Sequence, residues 1–394
     1  MMGDPWLSIV GMPHDSAAQL PPASRAAIDA AEVIFGGPRH LDLVNAGGRG
    51  APWPVPFSVG PVLAAKGRRV VVLASGDPFW FGAGGSLSAH LDPGEWCVLP
   101  APSTFSWVAG ALGWRLEDVT CHGLHAAPLA QLRAVLAPEA RFICLLRDGA
   151  APAELAQWLT QEGAGQARIH VCERMGGAEQ RVRETTAQAY DLTDVADPVA
   201  VAVALPAGVG LPRSCGLPDD LFDHDGQITK RPVRALTLSA LAPRPGEVLW
   251  DVGAGSGSIS VEWCLAGGLA VAFEQHEARA DNIIRNASQF GLSHRLTVHH
   301  GDARALIADR PAPDAVFVGG GGSDALFGAL FDISPRGTRL VANGVTLETE
   351  ARLARLHGER GGSLLRIELA EAAPLGRLRG WQAARPVVQW SVVL

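Results

Sequence analysis

Lysine is nearly missing from this 394-residue chain: Lys66 and Lys230 are the only two, beside 31 arginines. Basic side chains are the minority altogether, 33 against 40 acidic ones, for a net charge of -7. That balance argues against a partner held by bulk positive charge, so no nucleic acid is expected, although a local basic pocket stays open. Long apolar runs are also missing. The longest, Pro198 to Pro212, is broken by Pro206 and falls short of the roughly 20 residues that span a bilayer, so no membrane partner is expected. Met1 to Asp15 holds Asp4 and Asp15 but no Lys or Arg, unlike the basic start of a signal peptide, and the expected location is the cytoplasm. The six cysteines, at 97, 121, 144, 172, 215 and 264, form no C-x-x-C. Neither a zinc ribbon nor a disulfide framework is suggested, and buried, reduced thiols are expected. Cys121, His122 and His125 cluster without a fourth partner at zinc spacing, so no metal is expected.

What is present fits a globular protein of two or three domains, with 47% hydrophobic and 19% charged residues. In the first half, β-rich runs at 6–10, 69–74, 97–99, 141–146, 169–172 and 199–205 alternate with helical patterns at 23–33, 84–91 and 153–162, a layered α/β arrangement. Residues 207–216 concentrate Gly and Pro and read as a linker between a domain at 1–206 and another at 217–394. The second half alternates more regularly. Strands are expected at 247–252, 270–275, 296–300, 315–319, 338–343, 364–369 and 387–393, with helices between most of them and only a loop at 370–386. This predicts a mostly parallel seven-stranded sheet whose final strand runs antiparallel.

The strongest local signal is Asp251-Val252-Gly253-Ala254-Gly255-Ser256-Gly257, a strand end leading through glycines into a helix at 259–265. Glu274 closes the next strand, and in a doubly wound sheet that places a carboxylate beside the loop, where it can accept both hydroxyls of a ribose. A dinucleotide site needs G-x-G-x-x-G, whereas here the third glycine follows after one residue, which leaves NAD as the alternative to another nucleoside cofactor. Gly301-Asp302-Ala303 ends the third strand, where the Asp side chain and the next amide can read an adenine edge or, for Asp302, cap a helix. Together these resemble the class I S-adenosylmethionine methyltransferases. No D/N-P-P-Y motif follows the fourth strand. Instead Gly319-Gly320-Gly321-Gly322 either lets a bulky planar ligand approach the backbone or is a flexible loop.

With Gly216 to Phe222 (GLPDDLF), Thr229-Lys230-Arg231-Pro232 and the glycine run, the second half resembles the decarboxylating methyltransferase domain of corrin biosynthesis. The first half carries Ser75-Gly76-Asp77-Pro78, Pro102-Ser103-Thr104-Phe105, Cys121-His122-Gly123 and Cys172-Glu173-Arg174-Met175-Gly176. It resembles the class III tetrapyrrole methylases over most of residues 5 to 205. It departs from them after the first strand, where G-x-G-P-G-D is common and this chain has Gly11-Met12-Pro13-His14-Asp15.

The combination resembles the bifunctional, decarboxylating methyltransferases of cobalamin biosynthesis. The resemblance implies methylation of precorrin-6B (precorrin-6Y) at ring carbon 5 by the first domain, and methylation at carbon 15 with loss of the ring C acetate carboxyl by the second. The product would be precorrin-8X, with two S-adenosylmethionine per chain, no metal, and a homo-oligomeric assembly.

The cofactor residues implied are Thr229, Gly253, Ala254, Gly255, Ser256, Gly257, Glu274, Asp302 and Ala303 in the second half. In the first they are Gly76, Asp77, Ser103, Thr104 and Met175. Lys230 and Glu262 are the acid candidates, and Arg231, Gly320, Gly321, Arg377 and Arg379 the substrate contacts, the arginines having a solvated surface as their other reading. His299 and His300 read as packing residues. The rival functions are an RNA or protein methyltransferase with an accessory domain, and a carrier that binds tetrapyrrole without turnover.

Overall fold

The computed structural model describes residues 5–308, 310–320 and 322–394. The chain divides between Val209 and Gly210 into two compact units, with residues 130–134 grouped with the second.

The first unit runs β1 Leu7–Met12, α1 Pro22–Ala30, β2 Val33–Gly36, α2 Pro38–Leu43, β3 Gly50–Pro52, α3 Gly60–Ala64, β4 Val70–Ser75, α4 Ala83–Ser88, β5 Trp96–Leu99 and α5 Thr104–Leu112. It continues through β6 Val119–Gly123, β7 Arg141–Leu145, α6 Ala151–Gln161, β8 Arg168–Glu173, β9 Arg181–Thr186 and β10 Val199–Ala204. Two sheets result, β3-β2-β4-β1-β5 and β6-β7-β10-β8-β9. The first is parallel, and β1 and β4 read as near-continuous apolar runs because helices cover both faces. The helix expected at 23–33 stops at Ala30, and Val33 starts a strand instead: Val33, Ile34 and Phe35 are β-branched or aromatic and register against Val70, Val71 and Val72. Strands β3, β6 and β9 also went unread. β9 is largely polar because it is the edge of its sheet, and an edge strand carries no alternating apolar signal.

The second unit runs α7 Arg231–Leu241, β11 Val248–Val252, α8 Ser258–Leu265, β12 Leu269–Glu274, α9 Glu277–Gln289, β13 Leu296–His300, α10 Ala303–Leu306, β14 Ala315–Val318 and α11 Asp324–Ile333. Then come β15 Arg339–Gly344, α12 Leu347–Arg360, β16 Ser363–Ile367, β17 Ala370–Leu375, β18 Leu378–Ala383 and β19 Val387–Val393. Seven strands form one sheet in the order β13-β12-β11-β14-β15-β19-β16, parallel except for β19, which is antiparallel to both neighbours. Alternate residues of β11 feed two cores. Leu249 packs with α7, α8 and α9, while Trp250 and Val252 pack with α11 and α12. The stretch 370–386, read as a loop, contains the two-stranded hairpin β17–β18. Its strands alternate poorly because both faces are largely exposed, so no core-facing period marks them.

The thiols are only partly buried as expected. Cys144, Cys172 and Cys264 are buried, Cys97 and Cys121 lie at intermediate depth, and Cys215 is exposed. Among the described residues no helix is long and apolar enough to cross a membrane.

Candidate active site

In the second unit the chain passes from β11 to β12 and β13 on one side and then returns to β14 on the other. This reversal opens a crevice at the carboxyl ends of the strands, the place where ligands enter open α/β sheets. The loop after β11 turns on three left-handed glycines, Gly253, Gly255 and Gly257, at φ 67°, 61° and 71°. A Cβ on Gly253 would stand 2.7 Å from the Gly320 carbonyl, and one on Gly257 2.6 Å from Ile283, whereas one on Gly255 would meet only the Gln227 carbonyl at 3.4 Å. The outer two glycines therefore let the loop pack down, and Gly255 leaves its face open.

A cavity of about 740 Å³ lies over this loop, lined by Gly253, Ala254, Gly255, Glu274, Asp302 and Ala303 on one wall and by Thr229 and Lys230 on another. That size suits a small-molecule site. Glu274 ends β12 almost fully buried. Its carboxylate accepts from Gly255 N at 2.8 Å and His276 N at 3.0 Å, which fixes the group and leaves lone pairs for hydroxyls of a ligand. Because Glu274 already takes the Gly255 amide, that amide is closed to a pyrophosphate. The donor set fits a nucleoside with free ribose hydroxyls better than a dinucleotide. Asp302 lines the cavity and also caps α10, accepting from Arg304 N at 2.9 Å, the helix-cap role expected for it.

The cavity extends toward β15, β16 and β19, where Leu353, Ile367 and Val387 give it apolar walls. Asn343 is held there from behind: its amide donates to Thr237 Oγ1 at 2.9 Å, and its oxygen accepts from Gln389 at 3.0 Å. Arg304 and Arg385 also line the cavity, and among the described residues neither has an acidic partner. Sequence reasoning missed both because an isolated arginine, whether in the one-turn α10 or in the loop before β19, carries no periodic or motif signal.

Several expected site residues lie elsewhere. Glu262 does not face the cavity. It is buried in α8 and accepts from Gly216 N at 2.7 Å, Leu217 N at 2.9 Å and Arg234 Nε at 2.6 Å, so three of its roughly four lone-pair sites serve structural groups and it stands away from the cavity. Arg234 is fully buried, donating also to Asp219 at 3.0 Å, to the Thr229 carbonyl at 2.5 Å and to the Leu217 carbonyl. Arg231, Arg377 and Arg379 are not among the cavity-lining residues. Arg231 opens α7 on an exposed face, and the other two sit in the exposed β17–β18 hairpin. Ser256 and Gly257 pack beneath the loop rather than lining the cavity. Gly320 lines it, while Gly321 lies outside the described residues. Lys230 lines it with a side chain 60% exposed, 3.7 Å from Asp219. His299 stacks on Phe273, and His300 contacts the Gln275 carbonyl at 3.0 Å.

Asp251, just before the loop, is completely buried. Burial pushes its carboxyl up to about 7, opposed by hydrogen bonding from Ser260, with the nearby Glu274 charge adding to the rise. One carboxyl oxygen takes the Ser260 hydroxyl at 2.6 Å, and the other has no hydrogen-bond partner among the described residues. Because the folded value lies above the unfolded 3.8, this group costs nothing below pH 4 and its cost grows until about pH 7, reaching roughly 4 kcal/mol at most. Asp251→Asn should therefore gain stability relative to the parent as pH rises from 5 to 8. The gain is trimmed by about 1 to 3 kcal/mol for a buried amide donor without a partner. Melting temperatures of the two proteins across that range test this, and a difference that stays constant with pH would refute it.

In the first unit the loops after β1, β4 and β5 meet at the carboxyl edge of the parallel sheet. A Cβ on Gly11 would lie 2.1 Å from the Gly76 carbonyl and 2.4 Å from Ala101 N, and one on Gly76 would lie 2.9 Å from Ser103 Cα. Gly76, Asp77, Ser103 and Thr104 are thus brought together. Their side chains serve local turns: Asp77 accepts from Phe79 N at 2.9 Å, and Ser103 caps α5 through Ser106 N at 3.1 Å. Any ligand contact here runs mainly through backbone. Met175 is buried against Phe105. Glu173 in the same run is an anchor, buried and paired with Arg181 and with Arg183 at 3.1 Å. His122 contacts Thr120 at 3.1 Å, and among the described residues no cluster of three or more His, Cys, Asp or Glu could hold a metal.

Comparison with known proteins gives a family match over each half of the chain. Residues 7–191 match the model of the tetrapyrrole (corrin/porphyrin) methylases, and residues 220–394 that of a precorrin methyltransferase domain. The fold and site thus define an S-adenosylmethionine-dependent methyltransferase of tetrapyrroles. The precorrin-6Y C(5,15)-methyltransferase [decarboxylating] of a Sinorhizobium species is 46% identical over 98% of this chain and 96% of its own length. The chain belongs to the family of decarboxylating precorrin-6Y C(5,15)-methyltransferases. A probable cobalt-precorrin-6B C(15)-methyltransferase (decarboxylating) from Pyrobaculum calidifontis is 36% identical over 44% of the chain and 92% of its own length. The crystallised C-terminal domain of precorrin-6Y C5,15-methyltransferase from Rhodobacter capsulatus is 56% identical, with a TM-score of 0.46, over 47% of the chain and all of that domain.

Proposed function

We propose that the two units divide the reaction, the first methylating ring carbon 5 of precorrin-6Y and the second methylating carbon 15 and removing the ring C acetate carboxyl, to give precorrin-8X in cobalamin biosynthesis. The observation that carries this reading is the presence in one chain of two unlike α/β units, each with its own loop cluster at a carboxyl sheet edge. The separate relative that covers less than half the chain and is named for the C(15) step alone supports the division.

S-adenosylmethionine supplies a methyl group on a sulfonium, and we assign one molecule to each unit. In the second, Gly253, Ala254 and Gly255 would face the methionine and ribose, Glu274 the ribose hydroxyls, Asp302 and Ala303 the adenine, and Thr229 the amino-acid end. In the first, Gly76, Asp77, Ser103, Thr104 and Met175 would form the corresponding cradle.

The meso carbons of a reduced tetrapyrrole are enamine-like nucleophiles, so alignment matters more than a strong base and can supply about 7 to 11 kcal/mol. In the decarboxylation the bond from the acetate methylene to its carboxylate breaks, its electron pair enters the conjugated ring and carbon dioxide leaves. The methylene then takes a proton from water. Asn343, fixed by Thr237 and Gln389, and the apolar wall of Leu353, Ile367 and Val387 would hold the acetate arm, while Lys230, Arg304 and Arg385 would receive other carboxylates.

Mass spectrometry of precorrin-6Y incubated with excess S-adenosylmethionine and the intact chain tests the assignment. A gain of two methylene units and loss of one carbon dioxide is expected. An unchanged tetrapyrrole despite measured cofactor binding would overturn it.

A further inference from the structure

The loop after β1, where the sequence departs from the G-x-G-P-G-D pattern, builds a clasp at the carboxyl edge of the first unit. Arg39, near the start of α2, donates through one terminal nitrogen to His14 Nδ1 at 2.7 Å and to the His14 carbonyl at 2.9 Å, and through the other to His40 Nε2 at 3.3 Å. A guanidinium can only donate, so both imidazole nitrogens must be unprotonated acceptors. The tautomers follow. His14 carries its proton on Nε2 and gives it to Asp15 at 3.0 Å, while Ser75 Oγ, at the end of β4, lies 3.2 Å from the same His40 Nε2 and shares its single lone pair with Arg39. Asp15 also accepts the Ala178 amide at 2.6 Å, tying the clasp to the loop after β8 that carries Met175 and Gly176.

These contacts use three of the five N–H groups of Arg39. Two remain, and among the described residues no carboxylate pairs with this guanidinium. The cation is thus pinned by two neutral imidazoles with no carboxylate in contact, Asp15 acting on it from the far side of His14, on the same sheet edge as Gly76 and Ser103. Such a group is prepared for an anion that arrives from outside, and a planar fork is suited to a carboxylate.

We infer that Arg39, held by His14 and His40, is the receptor in the first unit for one alkyl carboxylate arm of the tetrapyrrole and sets the ring's orientation for methylation. This rests on the proposed function of that unit. Arg39 binds substrate in this account, whereas His14, His40 and Asp15 are positioning residues that act through it.

The test uses the full chain with precorrin-6Y and S-adenosylmethionine carrying a 13C-labelled methyl group, the carbon 5 and carbon 15 methyl signals being read separately by NMR. Arg39→Ala should raise KM for tetrapyrrole in the carbon 5 reaction about 10- to 100-fold, the range expected for one lost charge-assisted contact. The carbon 15 rate and the affinity for S-adenosylmethionine by calorimetry should stay unchanged. Arg39→Lys should recover part of the loss, and His14→Ala should fall between parent and Arg39→Ala. An unchanged KM in Arg39→Ala, or a parallel loss of cofactor affinity, would overturn the inference while carbon 5 methylation by the parent chain stands. A parent chain that places no label on carbon 5 would remove the underlying functional reading, and the inference with it.

Discussion

Replacing Glu262 with alanine is expected to destabilise the second unit by about 3 to 5 kcal/mol, the cost of breaking a buried ion pair and of leaving the amides of Gly216 and Leu217 without their acceptor. The remaining member, Arg234, has no exposed surface and keeps Asp219 as its acidic partner. The pair does more than satisfy itself. Glu262 holds the amides of Gly216 and Leu217, and Arg234 holds the carbonyls of Leu217 and Thr229, so the segment leading from the unit boundary to Thr229 and Lys230 is fastened to α7 and α8 through these two side chains. Arg234 also lies 4.9 Å from the centre of the Phe222 ring, adding a cation–π contact in a desolvated site.

Because backbone groups depend on the pair, an apolar double replacement such as Arg234→Met with Glu262→Leu should not restore stability, unlike simple buried pairs. Denaturant unfolding of the full chain, followed through the second-unit transition, gives the measurement. Glu262→Gln separates structure from chemistry. If Glu262 were a proton donor in the decarboxylation, this variant would keep its stability and lose turnover. The hydrogen bonds described here require stability to fall as well.

Glu274→Gln is expected to remove the second unit's reaction and spare the first. Its carboxylate is positioned by two backbone amides, and hydrogen bonds to a charged group contribute about 1.5 to 3 kcal/mol each. Two ribose hydroxyls bound to it would therefore account for a loss of roughly 100-fold or more in cofactor affinity. The amide can accept on one oxygen only and must turn its NH2 toward an amide N–H that also donates. Either Gly255 N or His276 N is left facing a donor, which loosens the glycine loop in addition. Calorimetry of the full chain with S-adenosylmethionine should lose one binding event, and mass spectrometry should show precorrin-6Y gaining a single methylene with no loss of carbon dioxide. Retention of decarboxylation at parental affinity would remove Glu274 from the cofactor site.

The mostly parallel seven-stranded sheet and the glycine loop of the second unit were legible because parallel central strands are continuous apolar runs and the loop between β11 and α8 must turn left-handed, which the glycines announce. Glu274 and Asp302 were legible for a related reason: strand ends at the carboxyl edge of such a sheet converge by topology, without need of coordinates. The linear pattern also identified the family, through short motifs in both halves. It did not reveal what long side chains reach. Glu262 and Arg234 are 28 residues apart, and only the packing of α7 on α8 makes them a buried pair and turns Glu262 away from the cavity. Arg377 and Arg379 were expected at the substrate and Arg385 was not, yet a hairpin carries the first two away while the third lines the cavity. His14, Arg39, His40 and Ser75 come from three separate loops or strand ends, and no periodicity links them. The chain's own order of apolar and glycine residues determined the backbone course and the sheet edge at which the crevice opens. The direction of each charged side chain was decided by tertiary packing, because desolvation forces a buried charge to find a partner wherever the fold brings one near.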